Sequence, residues 1–190
     1  DSQNKGYYEA CSREWRLIDD MRLSPRDLNE KKTMNSHLHL MEAYTNLLRV
    51  WEDDGLRHSL DELIRTLVER IIDPETFHFN LFFDENWNPQ TKTVSLGHDI
   101  EGSWLLTEVA SLLGEEKTRN DLTKLSVEMA RAVYEAGRDR ENGGLYNELS
   151  AGVAREKVKI WWPQCEGMVG FINAYELTGE EAFLEGAYQI

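Results

Sequence analysis

At 190 residues, with 41% hydrophobic and 29% charged side chains, the chain has enough apolar material for one real core and the composition of an ordinary soluble domain. A formal net charge of −14 speaks against nucleic acid and anionic membrane as partners. Cys11 and Cys165 stand far apart and in no metal-ligand spacing, so no disulfide framework or metal site is implied and a reducing, cytoplasmic setting is expected.

No apolar run approaches the length of a membrane span. The opening Asp-Ser-Gln-Asn-Lys is neither a signal peptide nor a start methionine, and Gly186 to Ile190 carries no helix stop. Both ends read as cuts through a longer protein. The Tyr-rich part of residues 6–23 favours a strand or a long loop. Asn35 to Trp51 reads as a helix with Leu38, Met41, Tyr44 and Leu48 inward, broken by Gly55. Arg57 to Ile72 follows as a second helix with Leu60, Leu63, Ile64, Leu67, Val68 and Ile71 apolar, and Pro74 ends it. Thr76 to Asp84 alternates aromatic and polar residues and reads as a strand in a long connection. A third helix is predicted from His98 to Leu113 with Gly114 as its stop, and a fourth from Glu116 to Ala136 with Gly137 as its stop. Glu141 to Glu148 carries a turn and strand signal. A basic strip, Arg155 to Lys159, leads to a fifth helix with Pro163 in its first turn, reaching about Leu177. Gly179 breaks that helix, and a sixth begins at Glu180.

His98 and Glu101 are three apart, so on a helix they share a face and can touch. A His beside a carboxylate at the mouth of a helix is a candidate acid/base device, because the carboxylate can fix the imidazole's tautomer or keep it charged. The plain alternative makes Glu101 a favourable first-turn acid. The segments ending in Glu42, Glu101 and Glu166 also align with one another, each glutamate opening a helix and another helix following, at a period of about sixty residues. Such hairpins must stack to bury both faces. The second helices are the more charged ones (Glu62, Arg65, Glu69 and Arg70; Glu128 and Arg131). That division predicts inner and outer rings, with the helix starts near Asn35, His98 and Pro163 converging on one rim.

The stretches Lys32 to Thr45 (with Asn35-Ser-His-Leu-His39), Gly97-His-Asp-Ile-Glu-Gly-Ser-Trp104 and Lys157 to Glu166 (with Trp161-Trp-Pro-Gln-Cys-Glu166), in that order, resemble the N-acylglucosamine 2-epimerase superfamily, nearest to its cellobiose 2-epimerase branch. The resemblance covers essentially the whole chain. It implies an all-α fold, part of an (α/α)6 toroid, with three of six hairpins present and residues 1–190 as one partial barrel domain truncated at both ends. It implies a sugar 2-epimerase that inverts C2 of a reducing-end sugar, with a small-molecule sugar as partner and no cofactor. His98 matches one of two catalytic histidines and Glu101 its neighbouring carboxylate. His39 matches a histidine that helps hold the opened sugar, with Asn35 one turn before it. Trp161 matches an aromatic sugar platform, and Asp27 a carboxylate near the outer sugar. Glu166 belongs on the rim by the repeat. The family's N-terminal arginine would precede residue 1 and its second catalytic histidine would follow residue 190.

The implied chemistry needs an open-chain aldehyde, whose carbonyl acidifies the C2 proton. A base removes that proton to a cis-enediolate, and an acid returns one to the opposite face. Charge on O1 and O2 must meet placed donors. Plainer roles stand beside each residue. His39 can be a hydrogen-bonded core histidine, Asn35 a helix cap, Trp161 and Trp162 plain core, and Glu42 and Glu166 first-turn acids. His37 and His39, two apart on a helix, point apart and suit no shared metal. Rival functions are an (α/α)-barrel glycoside hydrolase using Glu101 with Glu42 or Glu166, and a non-catalytic sugar-binding repeat. An open half-ring also predicts self-association through its apolar edge.

Overall fold

The computed structural model describes residues 1–190 other than Arg26, Gly114, Ala151 and residues 155–157. Among the described residues the regular structure is six α-helices: α1 (Met34–Leu48), α2 (Asp54–Thr66), α3 (Leu96–Leu112), α4 (Glu116–Ala136), α5 (Trp161–Thr178) and α6 (Glu181–Tyr188). Short strands lie in the connections: β1 (Lys32–Thr33), β2 (Phe82–Phe83), β3 (Thr93–Ser95), β4 (Glu148–Ser150) and β5 (Val153–Ala154). The expected all-α class, with strands confined to connections, holds. None of the described helices is long and apolar enough to cross a membrane. Contacts divide the chain into two compact units, residues 1–72 with 80–92, and residues 73–79 with 93–190.

In the first unit, oxygen side chains set both helix starts. Thr33 Oγ1 accepts the Ser36 N–H at 3.2 Å, and Asp53 Oδ1 accepts the Leu56 N–H at 2.8 Å. The cap of α1 is therefore Thr33 and not Asn35, and Gly55 lies inside α2 rather than breaking a helix. The break falls at Arg49–Asp53, so Trp51 lies outside α1 and is exposed. Helix α1 buries Met34, His37, Leu38, Met41, Thr45 and Leu48, one stripe at helical spacing. Helix α2 buries Leu56, Leu60, Leu63 and Ile64, then continues as a π-helical turn, Leu67–Ile71, that buries Leu67 and Ile71 but leaves Val68 exposed. The segment read as a strand from Thr76 forms a strand of just two residues, Phe82–Phe83, antiparallel to β1. Residues 6–23 form no strand.

Two buried polar groups tie this unit's N-terminal loop down. Lys32 is fully buried; its Nζ donates to the carbonyl oxygens of Lys5 at 2.8 Å and Glu85 at 3.1 Å and lies 4.5 Å above the Trp87 ring. Burial lowers its pKa, against the pull of the Glu85 and Asp84 charges. His37 is also fully buried: Nε2 accepts the Tyr7 N–H at 2.9 Å, and Nδ1–H donates to the Thr33 carbonyl at 2.6 Å. Burial brings its pKa down to about 4, which keeps the ring neutral.

In the second unit, α3 packs on α4 and α5, and α5 packs on α6. The core joins Leu96, Ile100, Ala130, Val133, Leu145, Leu149, Phe171, Ala174 and Phe183. Helix α3 is buried on nearly every side, whereas α4 buries one stripe, Leu122, Ser126, Met129, Ala130 and Val133. That is the expected contrast between an inner helix and a charged outer one. α3 and α5 approach so closely that a Cβ on Gly170 would lie 2.5 Å from Ile100 Cγ1. Arg131 donates to both carboxylate oxygens of Glu180, at 2.9 and 2.8 Å, tying α4 to the start of α6. Gly179, at φ +72°, closes α5 as expected. The Gly114 stop and residues 155–157 of the basic strip lie outside the described residues; Lys159 pairs with Asp139 at 2.8 Å.

The aligned glutamates do not open their helices. α3 begins at Leu96 and α5 at Trp161, so Glu101 and Glu166 each lie five residues past the start, and Glu42 lies two turns inside α1. The acid in the first turn of α3 is Asp99. The reading of these glutamates as first-turn acids therefore fails. For Glu101 the reason is that β3 hands directly into α3 at Ser95, two residues before the glycine that looked like the boundary.

Candidate active site

In the second unit, β3 and α3 meet at Ser95. Its backbone is held by pairing with Glu148 on β4, and the next residue, Leu96, donates its N–H to Asn147 O at 3.2 Å. His98 follows one turn later, half-buried. Its Nδ1 lies 2.7 Å from Ser95 Oγ. Its ring meets Trp162 edge-on at 4.9 Å between centroids. Gly97 makes that contact feasible, since a Cβ there would lie 2.4 Å from the Trp162 ring. A ring nitrogen of His98 and a carboxylate oxygen of Glu101 lie within 4.8 Å of one another.

One helical turn beyond, Trp104 Nε1–H donates to Glu166 Oε2 at 2.9 Å, linking α3 to α5. Trp161 is 76% exposed at the first position of α5, with its indole open to solvent. Trp161 and Trp162 therefore divide the roles: Trp162 packs on His98, and Trp161 is not core. The two expected starts in this unit, near His98 and Pro163, do meet through the His98–Trp162 contact.

Beneath His98, Asp99 is fully buried. Its Oδ1 accepts the Phe79 N–H and its Oδ2 the His78 Nδ1–H, both at 2.8 Å. Burial pushes the Asp99 carboxyl up, against the hydrogen bond and charge of His78. Burial pulls His78 down, but its bond to Asp99 and the charges of Asp99 and Asp73 outweigh that and raise it. The pair clamps residues 73–79 onto the first turn of α3. Spacing alone did not show it, because 21 residues separate the partners.

In the first unit, His39 is exposed on α1, and its Nδ1 lies 3.1 Å from Glu42 Oε2 one turn on. The role of core histidine belongs to His37 instead. Asn35 is half-buried in the first turn of α1. Asp27 closes a tight loop, its Oδ2 accepting the Ser24 N–H at 2.8 Å. The roles of Ser95, of Trp162 as the neighbour of His98, and of the Trp104–Glu166 bond are set by packing rather than by sequence spacing. Of these only Ser95 carried a local signal, a hydroxyl three residues before the histidine.

A profile of the N-acylglucosamine 2-epimerase (GlcNAc 2-epimerase) family matches residues 12–190. The chain is 42% identical to the cellobiose 2-epimerase of Bacteroides fragilis over 185 residues, 97% of this chain and 47% of that one. It is 33% identical to the cellobiose 2-epimerase of Dictyoglomus turgidum, again over 97% of this chain and 47% of that one. Among solved structures, the cellobiose 2-epimerase of Bacillus thermoamylovorans superposes with a TM-score of 0.91 at 34% identity, covering 100% of this chain and 48% of that one. The chain thus spans about half the length of the curated relatives it matches.

Proposed function

Because the chain belongs to the N-acylglucosamine 2-epimerase family, we propose that it supplies one proton-transfer arm of a sugar 2-epimerase acting on the reducing end of a cellobiose-type disaccharide. The observation that carries this reading is the His98 ring, braced by Ser95 and Trp162 with Glu101 close by, in the motif that the family resemblance assigns to catalysis. His98 takes the C2 proton of the opened sugar in one direction and returns one in the other, and Glu101 stabilises the imidazolium between the two events. His39, paired with Glu42, donates to the charge growing on the enediolate oxygens, and Asn35 assists it. Trp161 offers its exposed indole to the apolar face of a sugar ring. Asp27 lies near the outer sugar, and Glu166 belongs to the rim, where its carboxylate accepts from Trp104. The exposed stripe of α5, Met168, Val169 and Ile172, supports association of two copies.

The test incubates cellobiose in deuterated water and follows deuterium entering C2. It uses the chain and the same chain fused to the remaining half of the Bacteroides fragilis relative. His98→Asn keeps size and polarity but carries no proton at neutral pH, so it should lower exchange about a hundred- to ten-thousand-fold with binding largely intact. Exchange at the parent rate would show that His98 is structural. Release of glucose in place of an epimer would move the protein to the hydrolases.

A further inference from the structure

Ser95 occupies the N-cap of α3, where a serine ordinarily accepts a backbone N–H from the helix's first turn. In α1 the corresponding Thr33 does so, accepting the Ser36 N–H, and in α2 Asp53 accepts the Leu56 N–H. Ser95 makes no such capping bond. Its Oγ lies instead 2.7 Å from the side chain of His98, at Nδ1. The stabilisation a cap would give this helix is diverted to an imidazole.

The arrangement is held on both sides of the bond. Ser95 is buried, its backbone is paired in β3, and the helix begins at the next residue, so its side chain starts from a fixed point. On the other side, the Trp162 ring limits rotation of the imidazole. A histidine that serves as base through one nitrogen must carry its proton on the other. Once it has taken the substrate's proton, both nitrogens are protonated. A hydrogen-bond acceptor at Nδ1 satisfies both states, because Nδ1–H donates throughout. A neutral hydroxyl does this without adding a charge to the ring.

We infer that Ser95 is a positioning residue: its Oγ accepts from Nδ1–H of His98, fixes that tautomer, and makes Nε2 the nitrogen that exchanges a proton with the sugar. The inference rests on the reading of His98 as the acid/base group, and its test separates the two. The ring nitrogens of His98 in the 15N-labelled chain are read by long-range proton–nitrogen correlation above the ring's pKa. Nδ1 should show the shift of a protonated nitrogen and Nε2 that of a bare one. Ser95→Ala removes no capping bond, so the helix should remain; it should move the signal toward the other tautomer. Ser95→Thr, which keeps the hydroxyl, should restore the parent spectrum. In the fused protein, Ser95→Ala should slow C2 exchange about tenfold, with a smaller change in KM, and Ser95→Thr should recover most of it. A bare Nδ1 in the parent chain, or a tautomer unchanged in Ser95→Ala, overturns the inference. Should the tautomer respond to Ser95 while His98→Asn exchanges normally, the bond exists but serves no catalysis, and the inference falls together with the reading beneath it.

Discussion

Histidine does different jobs at different places in this chain, and the surroundings rather than the residue decide which. His37 is neutral because burial opposes its charge and both ring nitrogens have partners. His78 is held toward the charged form by Asp99. These two titrate in opposite senses, so stability should depend on pH in two separate windows. His37 has its folded pKa lowered to about 4, below an ordinary value of about 6.5. Its contribution is present above about 6.5 and is lost as pH falls toward 4. His78 has its folded pKa raised, so its contribution is full below about 6.5 and is lost as pH rises through the folded value. In Asp99→Asn the amide oxygen can still accept the Phe79 N–H, while the charge that raises His78 is gone. Urea midpoints from pH 6 to 9 should fall with pH in the parent and flatten in Asp99→Asn. Parallel slopes in the two proteins would remove the pair from the account. His78→Ala leaves Asp99 buried without its cation and should cost about 3 kcal/mol or more.

At the scale of elements, the α3–α5 contact positions His98, because Trp162 comes from one helix and the imidazole from the other. Glycines set the closeness of that contact. Gly170→Ala would place a methyl 2.5 Å from Ile100 Cγ1 and 2.9 Å from the Ile100 carbonyl oxygen. The side chain can turn away but the backbone cannot, so the helices must separate. The expected cost is about 1–3 kcal/mol, relieved only in part by Ile100→Val, and a double-mutant cycle on urea midpoints measures both effects. Gly97→Ala pushes on the Trp162 ring rather than on backbone. It should therefore harm C2 exchange more than stability, and the reverse ranking would mean that Trp162 does not hold His98. The π-helical turn Leu67–Ile71 shows the other side of element reading: its apolar spacing resembles a helix end, but the Ile72 N–H reaches back to Leu67 O at 2.9 Å.

For the whole molecule, charge and exposed apolar surface pull in opposite directions. The net charge of −14 makes two copies repel, while Met168, Val169 and Ile172, 41%, 49% and 44% exposed, offer each other an apolar stripe. Screening the charge should therefore strengthen self-association. Sedimentation velocity at rising salt should show a growing fraction of a heavier species, and Ile172→Lys should reduce it. A single species of monomer mass at every salt and concentration would leave the stripe without this role.

The amino-acid pattern by itself determined the all-α class, the helix pairs, the buried character of α3 and the family motifs, because each rests on spacings of a few residues along one helix. Leu38 and Met41, or Ile100 and Leu105, carry that information locally. Tertiary structure alone decided which tryptophan packs on His98, why Lys32 is buried, and that Glu166 meets Trp104 across 62 residues of sequence. It also decided the helix starts. Whether Ser95 ends a strand or opens a helix depends on β4 lying beside it, and Glu148 is more than fifty residues away in sequence. The candidate acid/base histidine was thus legible from three residues of spacing, but its partner at Nδ1 was not, since a serine at a helix start ordinarily bonds the backbone and only the packed ring at this position takes that bond instead.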